Sequence, residues 1–459
     1  MTAMRLNELA RIGQGQLVGA DCEFAGVSTD TRTLQPGALF VALAGPRFDG
    51  HDFVGAAAEK KAAAALVARR VEAPIPQVVV ADPLAALSDF AREWRRQFSI
   101  PVIGVTGSNG KTTTKEMIAA ILSRLGPCLV TRGNLNNHIG VPLMLLELNA
   151  DHRFAVIEMG ANHLGEIAHL ANIAQPTIGI VTNAGAAHLE GFGSLDGVAS
   201  GKGELFKALP ASGCAIINAD DKYANFWRES RSADRVYTFG FEQPADFMAH
   251  KVRASGDTNG FRIDFELVTP FGSKPATLNL GGLHNLRNAL GAAAAAAAAG
   301  ATLDELVAGL AEVRAVTGRL ELKPAQNGAF IVDDSYNANP SSLKAGLDAF
   351  KSLGGDRWLI LGDMMELGAN ADALHAEVGR YAKQAGISRL FAVGQHSHYA
   401  VEAFGAGARW FADIDALITE TRSALAPGIA VLIKGSRSNR LERVANALAA
   451  EAGRGSDGH

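Results

Sequence analysis

The sequence predicts an α/β protein of three domains. A small N-terminal α/β unit comes first, then a central phosphate-loop domain on a mostly parallel sheet, then a C-terminal Rossmann-like open α/β domain. Three observations predict this. Short apolar runs alternate with helical patterns over most of the chain, the signature of parallel sheets. One of those runs, at 102–105, feeds a glycine-rich loop and then a helix. The 459 residues, 48% of them hydrophobic, supply core for about three domains at ~150 residues each.

The central loop reads Gly107, Ser108, Asn109, Gly110, Lys111, Thr112, Thr113. Met117, Ile118, Ile121, Leu122 and Leu125 follow at helical spacing. Strand, glycine loop and helix in that order aim backbone N–H groups and a helix N-terminus at a phosphate. Lys111 then adds a point charge near the terminal phosphates, and the Thr112 hydroxyl can ligate Mg²⁺. The strict eight-residue template wants Gly at 105, where this chain has Val; the match is the shorter form. A bare glycine turn would lack the strand before and the helix after. The loop is predicted to bind a nucleoside triphosphate.

Residues 1–83 read as the first unit, with strands at 39–43 and 77–80 and an alanine-rich helix over 55–68 between them. Two polar clusters flank the first strand. One holds Ser28, Thr29, Asp30 and Arg32; the other holds Arg47, Asp49 and His51. Each alone reads as a solvated loop, but as a pair they can line one anion or sugar site.

Residues 84–315 form the second unit. Its apolar runs at 154–157 and 178–181 end in Glu158 and, a few residues on, His188. Ligands bind outside the carboxyl ends of strands in open α/β sheets, so both residues fall on the edge that carries the phosphate loop. Alternation over 257–280 predicts an antiparallel hairpin added to the main sheet. His284, Asn285 and Asn288 lead a helix into eight consecutive alanines at 292–299, which read as a close-packed core helix ended by Gly300. Thr302 and Glu305 make a capping box for the next helix. The third unit, 316–459, has strands expected at 329–333, 358–361, 390–393 and 429–433. The first and last of these end in Asp334, Tyr336 and Asn337, and in Lys434 and Arg437. No dinucleotide glycine fingerprint follows any of these strands.

Composition narrows the function classes. A net charge of −4 gives no electrostatic footprint for nucleic acid. Cys22, Cys128 and Cys214 stand singly, so neither a thiolate zinc site nor a disulfide framework is indicated. No stretch reads as a signal sequence or a membrane span, and the expected compartment is the cytoplasm.

These residues together resemble the Mur ligase family, the ATP-dependent amide-forming enzymes of peptidoglycan stem-peptide synthesis. The resemblance rests on GSNGKTT at 107–113, Glu158, NAGAAH ending at His188, GKGE around Lys202, HNLRN at 284–288 and Gly318-Arg319. Within the family, GNLNNHIGVP at 133–142 (with Asn134, Asn136 and Asn137), DDSYNANP at 333–340 and KGSR at 434–437 look like the branch that adds D-alanyl-D-alanine. The branch that adds a diamino acid would show Asn-Pro-Arg in the third domain; here Ser341 follows Asn339-Pro340.

The resemblance implies a monomer that takes UDP-N-acetylmuramoyl-tripeptide and D-alanyl-D-alanine as substrates, uses ATP, and employs two Mg²⁺ ions. It implies a nucleotide-sugar site on the first domain, and nucleotide contacts from His284, Asn285, Asn288, Arg319 and Asp334. From the residues alone, the HNLRN run reads as a polar helix start. Glu158, His188 and Lys202 match the ligands of a second metal. An ammonium cannot ligate Mg²⁺, and the matching family lysine is often carbamylated, which implies N6-carboxylysine at 202. The plain reading of Lys202 is a surface lysine paired with Glu204. Asn134, Asn136, Asn137, Tyr336, Asn337, Lys434 and Arg437 are the substrate contacts the resemblance implies. Two other readings stay open: a Mur ligase adding another amine, and a nucleotide-gated binding protein without catalysis.

Overall fold

A computed structural model describes residues 4–46, 48–186 and 188–450. The N-terminal unit is a five-stranded sheet in the order Gln16–Val18, Gln77–Val79, Ala64–Val67, Leu39–Val41, Val27–Ser28. All its pairs are parallel except the one joining Gln16–Val18 to Gln77–Val79. The helix expected over 55–68 is a correction. Only Val54–Glu59 is helical, and Ala64–Val67 is a strand with all four residues buried. The chain turns between them at Lys61, whose φ is 63°. A short continuous apolar run buried on both faces carries no alternation, so periodicity cannot separate it from a buried helix.

The central sheet is six-stranded and entirely parallel, in the order Cys128–Val130, Phe154–Glu158, Val102–Thr106, Ile178–Val181, Cys214–Asn218, Arg235–Phe239. Val102–Thr106, which feeds the phosphate loop, sits where strand order reverses, the crevice in which open α/β sheets bind ligands. Val105 pairs with Glu158, and Thr106 with Val181. The register therefore delivers Glu158 and the 182–188 segment to either side of the loop.

The hairpin expected over 257–280 is corrected to a three-stranded antiparallel sheet, Met248–Asp257, Gly260–Thr269 and Gly272–Leu278, separate from the parallel one. Only the bridge from Phe239 to Phe247 links it to the parallel sheet's edge. Its first strand is mostly exposed, so it carries no apolar alternation to read. Phe247, Ile263, Phe265 and Leu267 anchor it to the central core.

The alanine run lies in the helix Leu283–Ala298, in which Ala292 to Ala296 are wholly buried. It packs on the phosphate-loop helix Lys111–Leu122. Small side chains let two helices approach while burying apolar surface on several sides. Thr302 and Glu305 form the expected capping box at the start of Leu303–Glu312.

The third unit is a six-stranded sheet in the order Glu321–Pro324, Phe330–Asp333, Ile429–Lys434, Asp356–Gly362, Arg389–Val393, Ala408–Phe411. Its first pair is antiparallel and the rest parallel. The two outermost strands, which the sequence reading missed, are half-exposed edges.

The proposed boundary at 83/84 falls at the start of the helix Pro83–Arg96, capped by Asp82. That helix joins the first two units into one core. Phe90 and Trp94 pack with residues of both sheets, and buried Arg95 donates to the carbonyls of Ala174, Phe98 and Gln175. The boundary at 315/316 lies in the segment between Glu312 and Glu321.

Gly309 sets how closely Leu303–Glu312 approaches the phosphate-loop helix, since a Cβ there would lie 2.5 Å from Ile121 Cα. Gly309→Ala improves intrinsic helix propensity by about 1 kcal/mol. The backbone contact should outweigh this gain, as overpacking costs ~1–3 kcal/mol. Urea unfolding of Gly309→Ala is expected to give a lower midpoint than wild type; an equal or higher one would remove the close-approach account.

Candidate active site

The phosphate loop is a backbone structure zipped to the neighbouring strand end. Ser108 N–H donates to Asn183 O at 3.0 Å, and Ser108 Oγ exchanges bonds with Gly185 N–H and O at 2.9 and 3.0 Å. Two loop positions admit no side chain. A Cβ on Gly107 would meet Thr182 Oγ1 at 1.9 Å, and one on Gly110 would meet Asn288 Oδ1 at 2.5 Å. Both have positive φ, 140° and 83°. Gly110 precedes the helix Lys111–Leu122, whose first turn brings Thr112 and Thr113 to the loop.

The loop forms one wall of a cleft of 1110 Å³ between the second and third units. Ser108 to Thr113, Asn134, Asn136, Asn137, Glu158 and His188 line it from the central domain. His284, Asn285 and Asn288 join them from the start of the alanine helix. Arg319, Asp334, Tyr336, Asn337 and Lys434 line it from the third domain. Fold topology thus gathers residues more than 300 positions apart.

Both signs of charge line the cleft, with Lys111, Arg319 and Lys434 nearest the loop and its docked third-domain wall. Lys111 Nζ folds back on the carbonyls of Gly107 and Ser108 at 2.7 and 3.3 Å. Burial lowers its pKa, with Glu158 opposing the shift. Arg319 crosses between domains, donating to Thr112 Oγ1 at 3.0 Å, with its guanidinium 4.3 Å from the Tyr336 ring centre. Asp334 and Lys434 form a buried pair at 2.6 Å, and Lys434 also donates to Asn337 O. Burial raises the Asp334 pKa while Lys434 opposes the rise. His284 is pushed down to about 4 by burial, with Lys434 and Arg287 adding to it.

Glu158 is 2% exposed at the end of its strand. Asn136 Nδ2 donates to its Oε1 at 2.8 Å, while its Oε2 is buried without a hydrogen-bond partner. An orphaned carboxylate oxygen in such a place fits a cation. His188 Nδ1 lies 2.5 Å from Glu366 Oε2 of the third domain, off the hydrogen-bond line. Burial lowers its pKa, Lys111 and Lys202 add to the shift, and Glu366 opposes it. Among the described residues no three His, Cys, Asp or Glu side chains gather as a metal cage. The Glu158 carboxylate and the Thr112 hydroxyl are oxygen donors of the kind Mg²⁺ takes alongside phosphate and water, whereas the His188 imidazole is a softer donor that Mg²⁺ does not favour.

Lys202 is not a surface lysine. It is 1% exposed in the helix Leu195–Lys207, behind the cleft wall, and its Nζ donates to Ala161 O at 3.0 Å. The Nζ lies 5.0 Å from the Phe192 ring centre. The Glu204 pairing is corrected: its carboxylate accepts from Gly165 and Ala168 N–H at the start of Glu166–Ala174. Burial, aided by Lys111, pulls the Lys202 pKa down to about 7.

The first-domain clusters are not brought to the cleft. Asp30 pairs with Arg32 at 2.6 Å, and Ser28 Oγ bonds to Asp30. Next to Asp30, the carbonyl of Thr31 accepts from Lys60 Nζ at 2.7 Å. Buried His51 sits 2.6 Å from Asp49 and accepts from Ala68 N–H, so both ring nitrogens are engaged. Arg47 lies outside the described residues. Arg437 does not line the cleft itself; it lies 3.5 Å from Glu442, with its guanidinium 5.9 Å from the ring centre of the lining residue Tyr336. Asn137 spends its side-chain oxygen capping Ile139 and Gly140. Sequence reasoning missed Glu366, Asn183, Asn339 and Ser341 as site residues. Asn183 and Asn339 stood inside quoted motifs, while nothing local marks Glu366.

A phosphate loop at a sheet switch point, with a second open α/β domain docked over it, defines a nucleotide-using enzyme of the two-domain-clamp kind. The chain belongs to the Mur ligase family. Its residues 105–296 match the Mur ligase middle domain, 318–437 the Mur ligase, glutamate ligase domain, and 23–95 the Mur ligase family, catalytic domain.

Two curated relatives carry the name UDP-N-acetylmuramoyl-tripeptide–D-alanyl-D-alanine ligase. The one from Escherichia coli (strain K12) is 46% identical, covering 98% of this chain and 99% of that one. The one from Haemophilus influenzae is 38% identical, covering 96% and 97%. Crystal structure I of MurF from Acinetobacter baumannii superposes with a TM-score of 0.90 at 35% identity, covering 97% and 98%. MurF ligase from Thermotoga maritima in complex with ADP gives 0.82 at 28% identity, covering 92% and 96%.

The Lys202 setting has a pH consequence. Unfolded, this lysine keeps its ordinary 10.5; folded, it sits at about 7. Between these values the unfolded chain holds a proton that the folded one lacks, so the lysine's contribution to stability rises with pH. In CO₂-depleted buffer, wild type should gain stability relative to Lys202→Met as pH rises from 7. A pH-independent difference would mean that Lys202 is charged in the folded protein.

Proposed function

We infer that this chain is an ATP-dependent ligase joining D-alanyl-D-alanine to UDP-N-acetylmuramoyl-tripeptide, the last cytoplasmic step towards the peptidoglycan pentapeptide precursor. The observation that carries this is 46% identity along 98% of the chain to a ligase of that name. The cleft's chemistry supports it. A carboxylate and an ammonium do not condense in water. ATP phosphorylates the tripeptide's terminal carboxylate, and the free amine of the dipeptide then displaces phosphate from the acyl phosphate.

Position in the cleft supports the roles of its lining residues, and the family resemblance supplies the others. The loop N–H groups and Lys111 hold the phosphates of ATP, and Lys111 stabilises charge as the γ-phosphoryl moves. Arg319, stacked on Tyr336, adds a planar fork from the third domain. His284, Asn285, Asn288 and Asp334 bound the nucleotide end. The hydroxyl of Thr112, with Glu158, His188 and Lys202 as its carbamate, would hold two Mg²⁺ ions. Bound there, Mg²⁺ neutralises phosphoryl charge and polarises the acceptor carboxylate. Asn136 fixes Glu158 so that its free oxygen faces inward.

The carbamate reading rests on a lysine poised to be neutral. One N–H of Lys202 is held by Ala161 O, which leaves the amine lone pair to attack CO₂; the N–C bond forms and the proton leaves to water. Ser28, Thr29, Asp30, Arg32, Arg47, Asp49 and His51 bind the UDP-sugar on the first domain. Asn134, Asn137, Tyr336, Asn337, Lys434 and Arg437 serve the peptide ends. The chain works as a monomer, since one copy supplies both walls of the cleft. Its nucleotide-linked substrates place it in the cytoplasm; among the described residues no helix is long and apolar enough to cross a membrane.

ADP release measured with and without D-alanyl-D-alanine tests the reading. Release should require both UDP-N-acetylmuramoyl-tripeptide and the dipeptide, and fall by several orders of magnitude in Lys111→Ala. Equal release with another amine, or normal turnover in Lys111→Ala, would overturn it.

A separate measurement addresses position 202. Lys202→Ala should lose nearly all turnover, and a short carboxylic acid in the buffer should restore part of it by refilling the vacated space with an oxygen ligand. Ordinary turnover in Lys202→Ala without the acid would end the carbamate reading.

A further inference from the structure

The outermost residue of the phosphate loop, Asn109, is held twice. Its backbone belongs to the central domain: the N–H donates to Asn183 Oδ1 at 3.1 Å, and the carbonyl accepts from Thr182 Oγ1 and Asn183 Nδ2 at 2.6 and 3.0 Å. Its side chain belongs to the third domain. Asn109 Oδ1 accepts from Asn339 Nδ2 at 2.8 Å, Asn109 Nδ2 donates to Ser341 Oγ at 3.1 Å, and Ser341 Oγ donates to Asn339 Oδ1 at 2.9 Å. These three bonds close a ring.

The ring's polarity is fixed by the helix behind it. Asn339 is the N-cap of Pro340–Phe350, and its Oδ1 accepts from Ser342 N–H at 2.8 Å. That oxygen must therefore face the helix, and the amide nitrogen must face Asn109. Once Asn109 presents its oxygen to Asn339, its own nitrogen is left for Ser341. Each of the three side chains donates once and accepts once within the ring, so one cap geometry orients a contact across two domains. Asn109 cannot follow the third domain outward without breaking bonds to 182 and 183, the same strand end that shapes the loop through Ser108.

We propose that Asn339 and Ser341 are positioning residues for ligation, docking the third domain on the tip of the phosphate loop through Asn109. Closure of the cleft and the shape of the loop are then set together. Both line the cleft beside the loop, and the role assigned to them runs through Asn109. The inference deepens the ligase reading above and rests on it for the reaction that is assayed.

Asn339→Ser keeps a good N-cap but is too short to reach Asn109. Ser341→Ala leaves the cap bond to Ser342 in place. Small-angle scattering of the full-length protein saturated with a non-hydrolysable ATP analogue should give a larger radius of gyration for the Asn339→Ser/Ser341→Ala protein than for wild type. Its kcat should fall about ten- to a hundredfold, the scale for misplaced reacting groups. The dissociation constant of a non-hydrolysable ATP analogue should change less than about threefold, since the loop N–H groups remain. Ser341→Ala should add little to the loss already caused by Asn109→Ala, because both break the same ring. Thermal melting checks that the variants fold, and Ser341→Ala alone decides the matter if Asn339→Ser does not. Wild-type kcat, an unchanged scattering curve, or independent multiplication of the Asn109 and Ser341 effects would each overturn the proposal. Should wild type fail to ligate the dipeptide, the ligase reading falls, while the scattering comparison still decides the docking role.

Discussion

The phosphate loop packs against Thr182 and Asn288 more closely than any side chain would allow, and much of the site follows from that contact. Gly107 and Gly110 leave room for the two neighbours, and their positive φ values turn the chain from strand to helix within four residues. Thr182 begins the segment that carries Ser108's and Asn109's partners and continues to His188. Asn288 lies in the second turn of the alanine helix that packs on the phosphate-loop helix. A substituted glycine would push on both at once. The loop is therefore less a separate motif than the place where strand order, helix packing and the third domain's docking agree.

The second constraint is charge. Lys111, Arg319, Lys434 and Lys202 surround the cleft, and only Asp334 directly neutralises one of them. Burial makes this costly, which is why Lys111 and Lys202 shift towards their neutral forms. Such a site is stabilised by anions, and a nucleoside triphosphate beside a peptide carboxylate supplies several. Glu158 stands against this trend as a buried carboxylate with one oxygen unpartnered. Unpaired cations beside the loop, together with a buried carboxylate left one oxygen short of a partner, suit phosphoryl transfer assisted by a divalent ion, and suit poorly a protein that only senses nucleotide.

Legibility in the sequence tracked how local each feature is. The strand, loop and helix around 102–122, the capping box at Thr302 and the buried alanine helix were readable because each is fixed by neighbours within a few residues. The strand at Ala64–Val67 was not, since a four-residue apolar run carries no period. Met248–Asp257 was missed for the opposite reason, being too exposed to alternate. In the site, Glu158 and His188 were found because strand ends are visible in sequence. Lys202 was singled out through resemblance, and its burial and its freedom from Glu204 needed the fold. Glu366, Asn339 and Ser341 meet central-domain residues from more than 175 positions away, and no local pattern announces such partners.

Docking of the third domain also bears on the fate of the acyl phosphate. That species reacts with water as well as with an amine, so a ligase must admit the dipeptide while excluding solvent. A cleft with one wall fixed and one wall movable can do both, provided that the movable wall is held only when the reacting groups are in place. Arg319 on Thr112 and the Asn109–Asn339–Ser341 ring tie that wall to the loop that holds the phosphates, while the nucleotide-sugar domain is fused to the central one through the Pro83–Arg96 core. The division of labour follows from those contacts. The first two domains form one cradle for the long substrate, and the third meets it through these polar contacts together with Phe261, which is buried in the third domain's apolar cluster with Leu343, Phe350 and Leu353.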